Sequence, residues 1–238
     1  KNLMMKKKSK IKILFFGRTR CRATSNLLEE LIRRDFNVKY VESKCRLQKI
    51  PNFVFKWEGD YILCFRSLFI LPKEILKKPK YASINFHPGP PEYRGSGCIN
   101  FALYDNCKIY GVTAHLMDSK IDNGKILEVK RFKINSNDNL ETLLSKTHKA
   151  LYQLCLNFIS KITEEGNKFI ETKLNQKIKE KWSGKVRLIE EVNILQEISL
   201  NVNKKELNRI IRATYIKDYP PKIVLHGQEF FLRSNSKN

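Results

Sequence analysis

No apolar run in the 238-residue chain exceeds strand length. The Tyr-Ile-Leu-Cys-Phe segment at 61–65 is typical, whereas a bilayer span needs roughly 18 or more apolar residues. A membrane role is therefore not expected. The basic opening Lys-Asn-Leu-Met-Met-Lys-Lys-Lys has no apolar signal-peptide core behind it, so a cytoplasmic protein is expected. Cys21, Cys45, Cys64, Cys98, Cys107 and Cys155 form no Cys-x-x-Cys and no paired spacing. This argues against a disulfide framework or a structural metal site and for reduced thiols packed as small core residues. The turn after the first apolar segment reads Gly-Arg-Thr-Arg from Gly17, without the Gly-x-Gly-x-x-Gly fingerprint, which disfavours a nicotinamide-dependent redox enzyme. Internal repeats are absent. Acidic residues are scarce: 24 Asp and Glu stand against 46 Lys and Arg, a net charge of +22. Such a balance raises nucleic acid as a partner. The basic residues, however, are spread along the whole chain, mostly as lysine, with the densest run at 6–12. Nucleic acid is therefore disfavoured, and a phosphate-bearing small substrate would profit from the same field.

What is present suffices for a sizeable core, since 42% of residues are hydrophobic. Residues 11–16 read as a buried strand ending at Gly17. Leu27, Leu28, Leu31 and Ile32 give helical spacing over 26–34, with Ser25 or Asn26 as the expected N-cap, and 38–41 returns to strand. This β-α-β opening predicts a doubly wound α/β sheet. Further strands are expected at 61–65, 82–86, 112–117 and 125–134, and short helices at 71–76 and 97–104. A long helix is expected at 140–162 with its cap region at Asp138. Residues 168–185 are polar and lysine-rich, a linker or weak helix. The last 50 or so residues predict a small module: a strand near Val186, a helix at 204–213, and a hairpin turning at His226-Gly227. The expected division is a catalytic domain at 10–180 and a C-terminal module at 181–238.

Chemistry concentrates in Asn-Phe-His-Pro-Gly-Pro-Pro-Glu-Tyr-Arg-Gly at 85–95. Asn85 and His87, two apart on a strand, point to one face. Pro88, Pro90 and Pro91 then force a rigid extended loop. Two polar groups locked at a strand tip make a poor core and a good site. Downstream lie Gly-Val-Thr-Ala-His at 111–115 and Ile-Asp-Asn-Gly-Lys-Ile at 121–126. Alone, Asp122 reads as a turn former before Asn123-Gly124. His115 reads equally as a buried strand histidine or as a direct catalytic group.

The co-linear pattern Asn-x-His-Pro, Arg-Gly, Gly-Val-Thr-x-His and Asp-x-Gly-x-Ile resembles the folate-dependent formyltransferase family over about residues 11–135. That family includes enzymes acting on methionyl-tRNA, glycinamide ribonucleotide and aminosugars. The resemblance implies a Rossmann-like catalytic domain with a small C-terminal α+β module. It implies N10-formyltetrahydrofolate as co-substrate, no metal, and Asn85, His87 and Asp122 as the catalytic trio. An amide such as Asn85 would stabilise the negative charge that develops on the formyl oxygen when the amine attacks the carbon. His87 would donate to that oxyanion or help deprotonate the amine, and Asp122 would orient His87 and support proton transfer to the departing folate nitrogen. The resemblance further implies folate contacts from the loops at 65–71 and 118–122, giving Phe65, Arg66, Ile70, Leu71 and Asp118 as cofactor-binding candidates.

The loop wording Pro-Gly-Pro-Pro-Glu-Tyr, together with Arg-Ala followed by Tyr-Pro-Pro at 212–221, is more similar to sugar N-formyltransferases. Only 56 residues follow Trp182, too few for the barrel domain of the methionyl-tRNA enzymes. The expected acceptor is thus a nucleotide-linked 4-amino-4,6-dideoxysugar such as dTDP-4-amino-4,6-dideoxyglucose, in surface-polysaccharide (O-antigen) synthesis. Tyr93, Arg94, Gly95, Arg212, Tyr215 and Tyr219 are the substrate-binding candidates. The two tyrosines of the tail would stack on a base and the arginine would pair with a diphosphate, or these residues simply pack the tail against the main domain. The alternatives are a formyltetrahydrofolate hydrolase, a methionyl-tRNA or glycinamide ribonucleotide enzyme, or a non-catalytic basic RNA-binding protein. A homodimer through the C-terminal hairpin is expected.

Overall fold

A computed structural model describes residues 10–233, so most of the basic run that opens at Lys6 lies outside the described residues. The chain runs β1 (Lys12–Arg18), α1 (Arg22–Arg33), β2 (Asn37–Ser43), α2 (Asn52–Lys56), β3 (Gly59–Phe65), α3 (Lys73–Leu76) and β4 (Pro79–His87). It continues through β5 (Arg94–Gly95), α4 (Cys98–Tyr104), β6 (Ile109–Leu116), β7 (Ile126–Lys133), α5 (Leu140–Glu165) and α6 (Asn167–Asn175). β8 (Val186–Arg187), α7 (Ile189–Gln196), α8 (Lys204–Thr214), β9 (Lys222–Leu225) and β10 (Gln228–Phe231) complete it.

Six strands form one sheet in the order β2-β1-β3-β4-β6-β7. Pairing is parallel from β2 to β4 and antiparallel from β4 to β7. The α/β expectation holds, and its cause is visible in β1. Ile13 and Phe15 enter one core cluster, while Leu14 and Phe16 enter another on the opposite face. A strand buried on both faces reads as a continuous apolar run. α5 buries Leu143, Thr147, Leu151, Leu154 and Phe158 along one stripe. Its N-cap is Asn139, whose side chain accepts from Thr142 N while Thr142 Oγ1 accepts from Asn139 N. Neighbouring Asp138 takes the Lys146 ammonium instead.

The structure departs from or adds to the sequence reading in three places. α1 begins at Arg22 after Cys21, four residues before the expected cap, because its first inward-facing residue is Thr24, which apolar counting overlooks. A Cβ on Gly17 would come within 2.1 Å of Thr24 Cγ2, so the glycine is what lets the helix start so close to β1. The 168–185 segment, expected as a linker or weak helix, is helical in its first part, where it supplies most of α6 and buries Phe169 and Ile170, and then runs on as an extended strap that crosses the site. α2 and α7 escaped sequence reading because short helices with one buried residue each leave no periodicity.

The C-terminal helix α8 packs on α4. Asn100 Nδ2 donates to Ala213 O at 2.9 Å, and the Tyr104 hydroxyl donates to Glu206 Oε1 at 2.6 Å. The β9–β10 hairpin turns at His226 and Gly227, with φ of 49° and 77°, the two left-handed positions of a tight primed turn. Among the described residues, no helix is long and apolar enough to cross a membrane.

Candidate active site

β4 ends in the middle of the sheet, between parallel β3 and antiparallel β6. Asn85 lies opposite His115 in the β4–β6 ladder, and His87 lies opposite Thr113. Directly opposed residues share a face, so Asn85, His87 and His115 converge. The proline-rich loop beyond His87 is held by side chains below it. Tyr110 donates to Pro88 O at 2.9 Å and Thr113 Oγ1 donates to Gly89 O at 2.8 Å. A Cβ on Gly89 would sit 2.6 Å from His87 Nε2, so only glycine leaves room for the imidazole.

Asp122 arrives from the β6–β7 connection. Its φ of 44° is left-handed, uncommon for a residue with a side chain and characteristic of constrained functional positions. The positive φ falls on Asp122 itself and not on Asn123 or Gly124. Gly124 is required for another reason, since a Cβ there would lie 1.9 Å from Leu116 O. Arg94 clamps the turn from outside: Nε donates to Asp122 O at 2.7 Å and Nη2 to Ile121 O at 3.2 Å. Gly95 N donates to Asp122 Oδ2 at 2.8 Å.

The carboxylate thus reaches both histidines. His87 Nδ1 is 3.3 Å from Asp122 Oδ2, and His115 Nε2 is 3.4 Å from Asp122 Oδ1. The other nitrogen of His87 donates to Tyr93 O at 2.7 Å. A carbonyl and a carboxylate both accept, so the surroundings of the two ring nitrogens favour the doubly protonated imidazolium. Burial opposes this charge, but the Asp122 carboxylate overrides it and carries the His87 pKa up to about 9. For Asp122, burial likewise raises, and the His87 charge above all, with the Gly95 N–H, more than offsets it, holding the carboxyl well below its usual range. His87 and His115 are each 2% exposed and Asp122 is 8% exposed, so the pair sits in a medium where such charges interact strongly.

The wall over these imidazoles is Trp182, which sequence reading missed as a site residue. Its ring meets His115 edge-on at 4.9 Å and 88°, and His87 at 6.0 Å. Its Nε1 donates to Gly124 O at 2.6 Å. The strap that carries it is fastened to the loop after β4. Ser183 N donates to Pro91 O, β8 pairs in parallel with β5, and Arg131 binds both Glu92 and Glu180. A single tryptophan in a lysine-rich stretch gave no sequence signal. An open groove of about 540 Å³ runs along the strap, lined among others by Asn123, Lys125, Ile126, Lys177 and Trp182 but not by Asn85.

The remaining candidates separate by surroundings. The loops at 65–71 and 118–122 leave the sheet beside Asn85, from strands flanking β4. Within them Phe65 and Leu71 are buried, Ile70 is 74% exposed, and Arg66 has φ 54° with Nη1 on Cys21 Sγ at 3.3 Å. Asp118 accepts from Lys120 N at 2.8 Å and Asn123 Nδ2 at 3.0 Å, fixing its loop. The Tyr93 hydroxyl contacts Asp105 and Cys107. Arg212 is spent on Asp138 O and Asn106 Oδ1, which is the tail-packing alternative. Tyr215 is half-buried, while Tyr219 is 75% exposed on the tail. Among the described residues no group of three or more His, Cys, Asp or Glu side chains is placed to hold a metal ion.

Comparison with known proteins fits this geometry. The methionyl-tRNA formyltransferase of Thermodesulfovibrio yellowstonii is 44% identical over 136 residues, 52% of this chain and 44% of that protein. The chain therefore spans about half the length of the curated relatives it matches. A 4-N formyltransferase from Francisella tularensis superposes with TM-score 0.73 at 22% identity, covering 93% of this chain and 96% of that one. The N-formyltransferase from Helicobacter canadensis, in complex with folinic acid and dTDP-3-aminofucose, gives TM-score 0.68 at 20% identity over 92% and 86% of the two chains. A family model for formyl transferases matches residues 11–159, which contain Asn85, His87, His115 and Asp122, and the chain belongs to the formyl transferase family.

Proposed function

We infer that this protein transfers a formyl group from N10-formyltetrahydrofolate to the amino group of a nucleotide-linked 4-amino-4,6-dideoxysugar, as a homodimer serving surface-polysaccharide synthesis. The observation that carries the chemistry is the Asn85–His87–Asp122 cluster, an amide donor beside an imidazolium–carboxylate pair. A neutral amine attacks the formyl carbon, forming the new C–N bond and placing negative charge on the formyl oxygen. Asn85 Nδ2 donates to that oxygen, and the fixed positive charge of His87 stabilises it. Both His87 nitrogens are engaged, so His87 acts as a standing cation rather than as the base that takes the amine proton. The intermediate collapses by breaking the bond to folate N10. The amine loses one proton and N10 gains one, with Asp122 holding the water that relays it. The loops at 65–71 and 118–122 would hold the folate.

The acceptor assignment is supported by the tail. The folds of the Francisella and Helicobacter proteins cover 93% and 92% of this chain, too large a share to leave out the 56 residues after Trp182 as a whole. A second reading, methionyl-tRNA as acceptor, is favoured by the 44% identity to a methionyl-tRNA formyltransferase and by the net charge of +22. One assay separates them. With N10-formyltetrahydrofolate, dTDP-4-amino-4,6-dideoxyglucose should gain the mass of a formyl group while tetrahydrofolate is released. Formylation of methionyl-tRNA alone would replace the acceptor, formate release without acceptor would indicate a hydrolase, and no turnover with any dTDP-aminosugar would refute the sugar reading.

A further inference from the structure

We propose that His115 is a positioning residue that sets the rotation of the Asn85 amide and so decides which end of that amide faces the reacting carbonyl. This rests on the formyl-transfer reading for its consequence, but not for its geometry. His115 Nδ1 lies 2.7 Å from Leu116 O. A carbonyl can only accept, so Nδ1 carries a ring proton; Nε2, with the Asn85 amide nitrogen facing it and Asp122 Oδ1 farther off at 3.4 Å, presents a lone pair. That lone pair is 3.1 Å from Asn85 Nδ2 and accepts one of its two N–H bonds.

An asparagine amide has two ends of nearly equal size but opposite hydrogen-bonding character. With Nδ2 tied to His115, the second N–H of the same nitrogen diverges from the first and is left for the formyl oxygen. Turned over, the amide would offer that oxygen its own carbonyl, a repulsive contact where a donor is required. The lock has its own supports. Leu116 O is fixed because the backbone of Gly124 closes on it, where a Cβ would lie at 1.9 Å, and Leu116 N donates to Lys125 O. The Trp182 ring, perpendicular to the imidazole with centroids 4.9 Å apart, packs against it and limits its rotation. His115 therefore transmits to Asn85 the position of the turn that carries Asp122. It touches the substrate only through Asn85.

Two measurements test this. In the unliganded, nitrogen-15-labelled protein at neutral pH, a coupling across the hydrogen bond should connect Asn85 Nδ2 with His115 Nε2 and vanish in His115→Leu. A proton on His115 Nε2, or no such coupling, overturns the proposal whatever the acceptor proves to be. In turnover with the amine acceptor, His115→Leu should lower kcat by roughly 10- to 100-fold, the scale of a misplaced reacting group, with both KM values within about twofold and the shape of the pH profile kept. His115→Gln, which still offers an acceptor oxygen, should recover part of the loss. In an Asn85→Ala background, His115→Leu should cost nothing further, because residues acting through one another are not additive. Full additivity, or loss of a limb of the pH profile, overturns it. A wild-type protein that turns over no acceptor would remove the functional reading, and the coupling measurement would still decide the role of His115.

Discussion

His87 owes its charge to where its two nitrogens point, and that charge has a pH signature. Its ordinary pKa is 6.5, and in the folded protein it rises to about 9. A group whose pKa is raised by folding contributes stability that is complete below the unfolded value and is lost as pH climbs through the folded one. The His87–Asp122 pair should therefore stabilise the fold fully below about pH 6.5 and progressively less up to about pH 9. Asp122→Asn removes one partner of a buried pair, a change that costs about 3–5 kcal/mol. Denaturant unfolding of wild type and Asp122→Asn should show that gap at pH 6.5 and its narrowing through pH 9; a gap constant over this range would contradict the imidazolium assignment. Formyl transfer should fall over the same upper range, as the cation facing the oxyanion disappears.

At the scale of elements, the strap between α6 and β8 does what a seventh strand or a covering helix does in other sheets: it closes the open end over the site. Its fastening is polar. Arg131 grips Glu180 through Nε and Nη2 at 2.8 and 2.6 Å, and Glu92 through Nη2 at 2.8 Å, linking β7, the strap and the proline loop. Two-pronged arginine–carboxylate pairs exceed ordinary surface ion pairs, which contribute about 0.2–1 kcal/mol. Arg131→Ala should loosen the strap by about 1 kcal/mol, opening it roughly fivefold more often. Lys177, Lys179, Lys181 and Lys185 along it are exposed, so limited trypsin digestion should cut there at least several-fold faster in the variant, with kcat falling in parallel. Unchanged cleavage would mean the β5–β8 pairing and Trp182 hold the strap unaided.

For the whole molecule, the hairpin stands out. Val224, Leu225, Phe230 and Phe231 are all more than a third exposed on a two-stranded sheet. Two strands alone are marginal in water and gain from a second pair. Phe230→Asp with Phe231→Lys should convert a dimer into a monomer in light scattering at micromolar concentration while leaving the catalytic domain folded by circular dichroism. A wild-type protein already monomeric under those conditions would refute the homodimer.

The central sheet was legible because strands buried on both faces leave continuous apolar runs, and the 85–95 segment because asparagine and histidine at alternate positions before three prolines satisfy no packing need. The start of α1 was not legible, since threonine fills its first core position. Sequence by itself determined the α/β sheet and the strand tip carrying Asn85 and His87, both set by local periodicity and residue type, while the kind of chemistry came from the resemblance of its motifs to the formyltransferases. Tertiary structure alone decided that His87 faces a carbonyl on one side and the Asp122 carboxylate on the other, that Asp122 stands against two histidines, that Asn85 meets His115, and that Trp182 from 58 residues beyond Gly124 roofs the site. Those outcomes depend on which hydrogen-bond acceptor stands opposite each nitrogen across the sheet, a matter of register and long-range contact that no local pattern encodes.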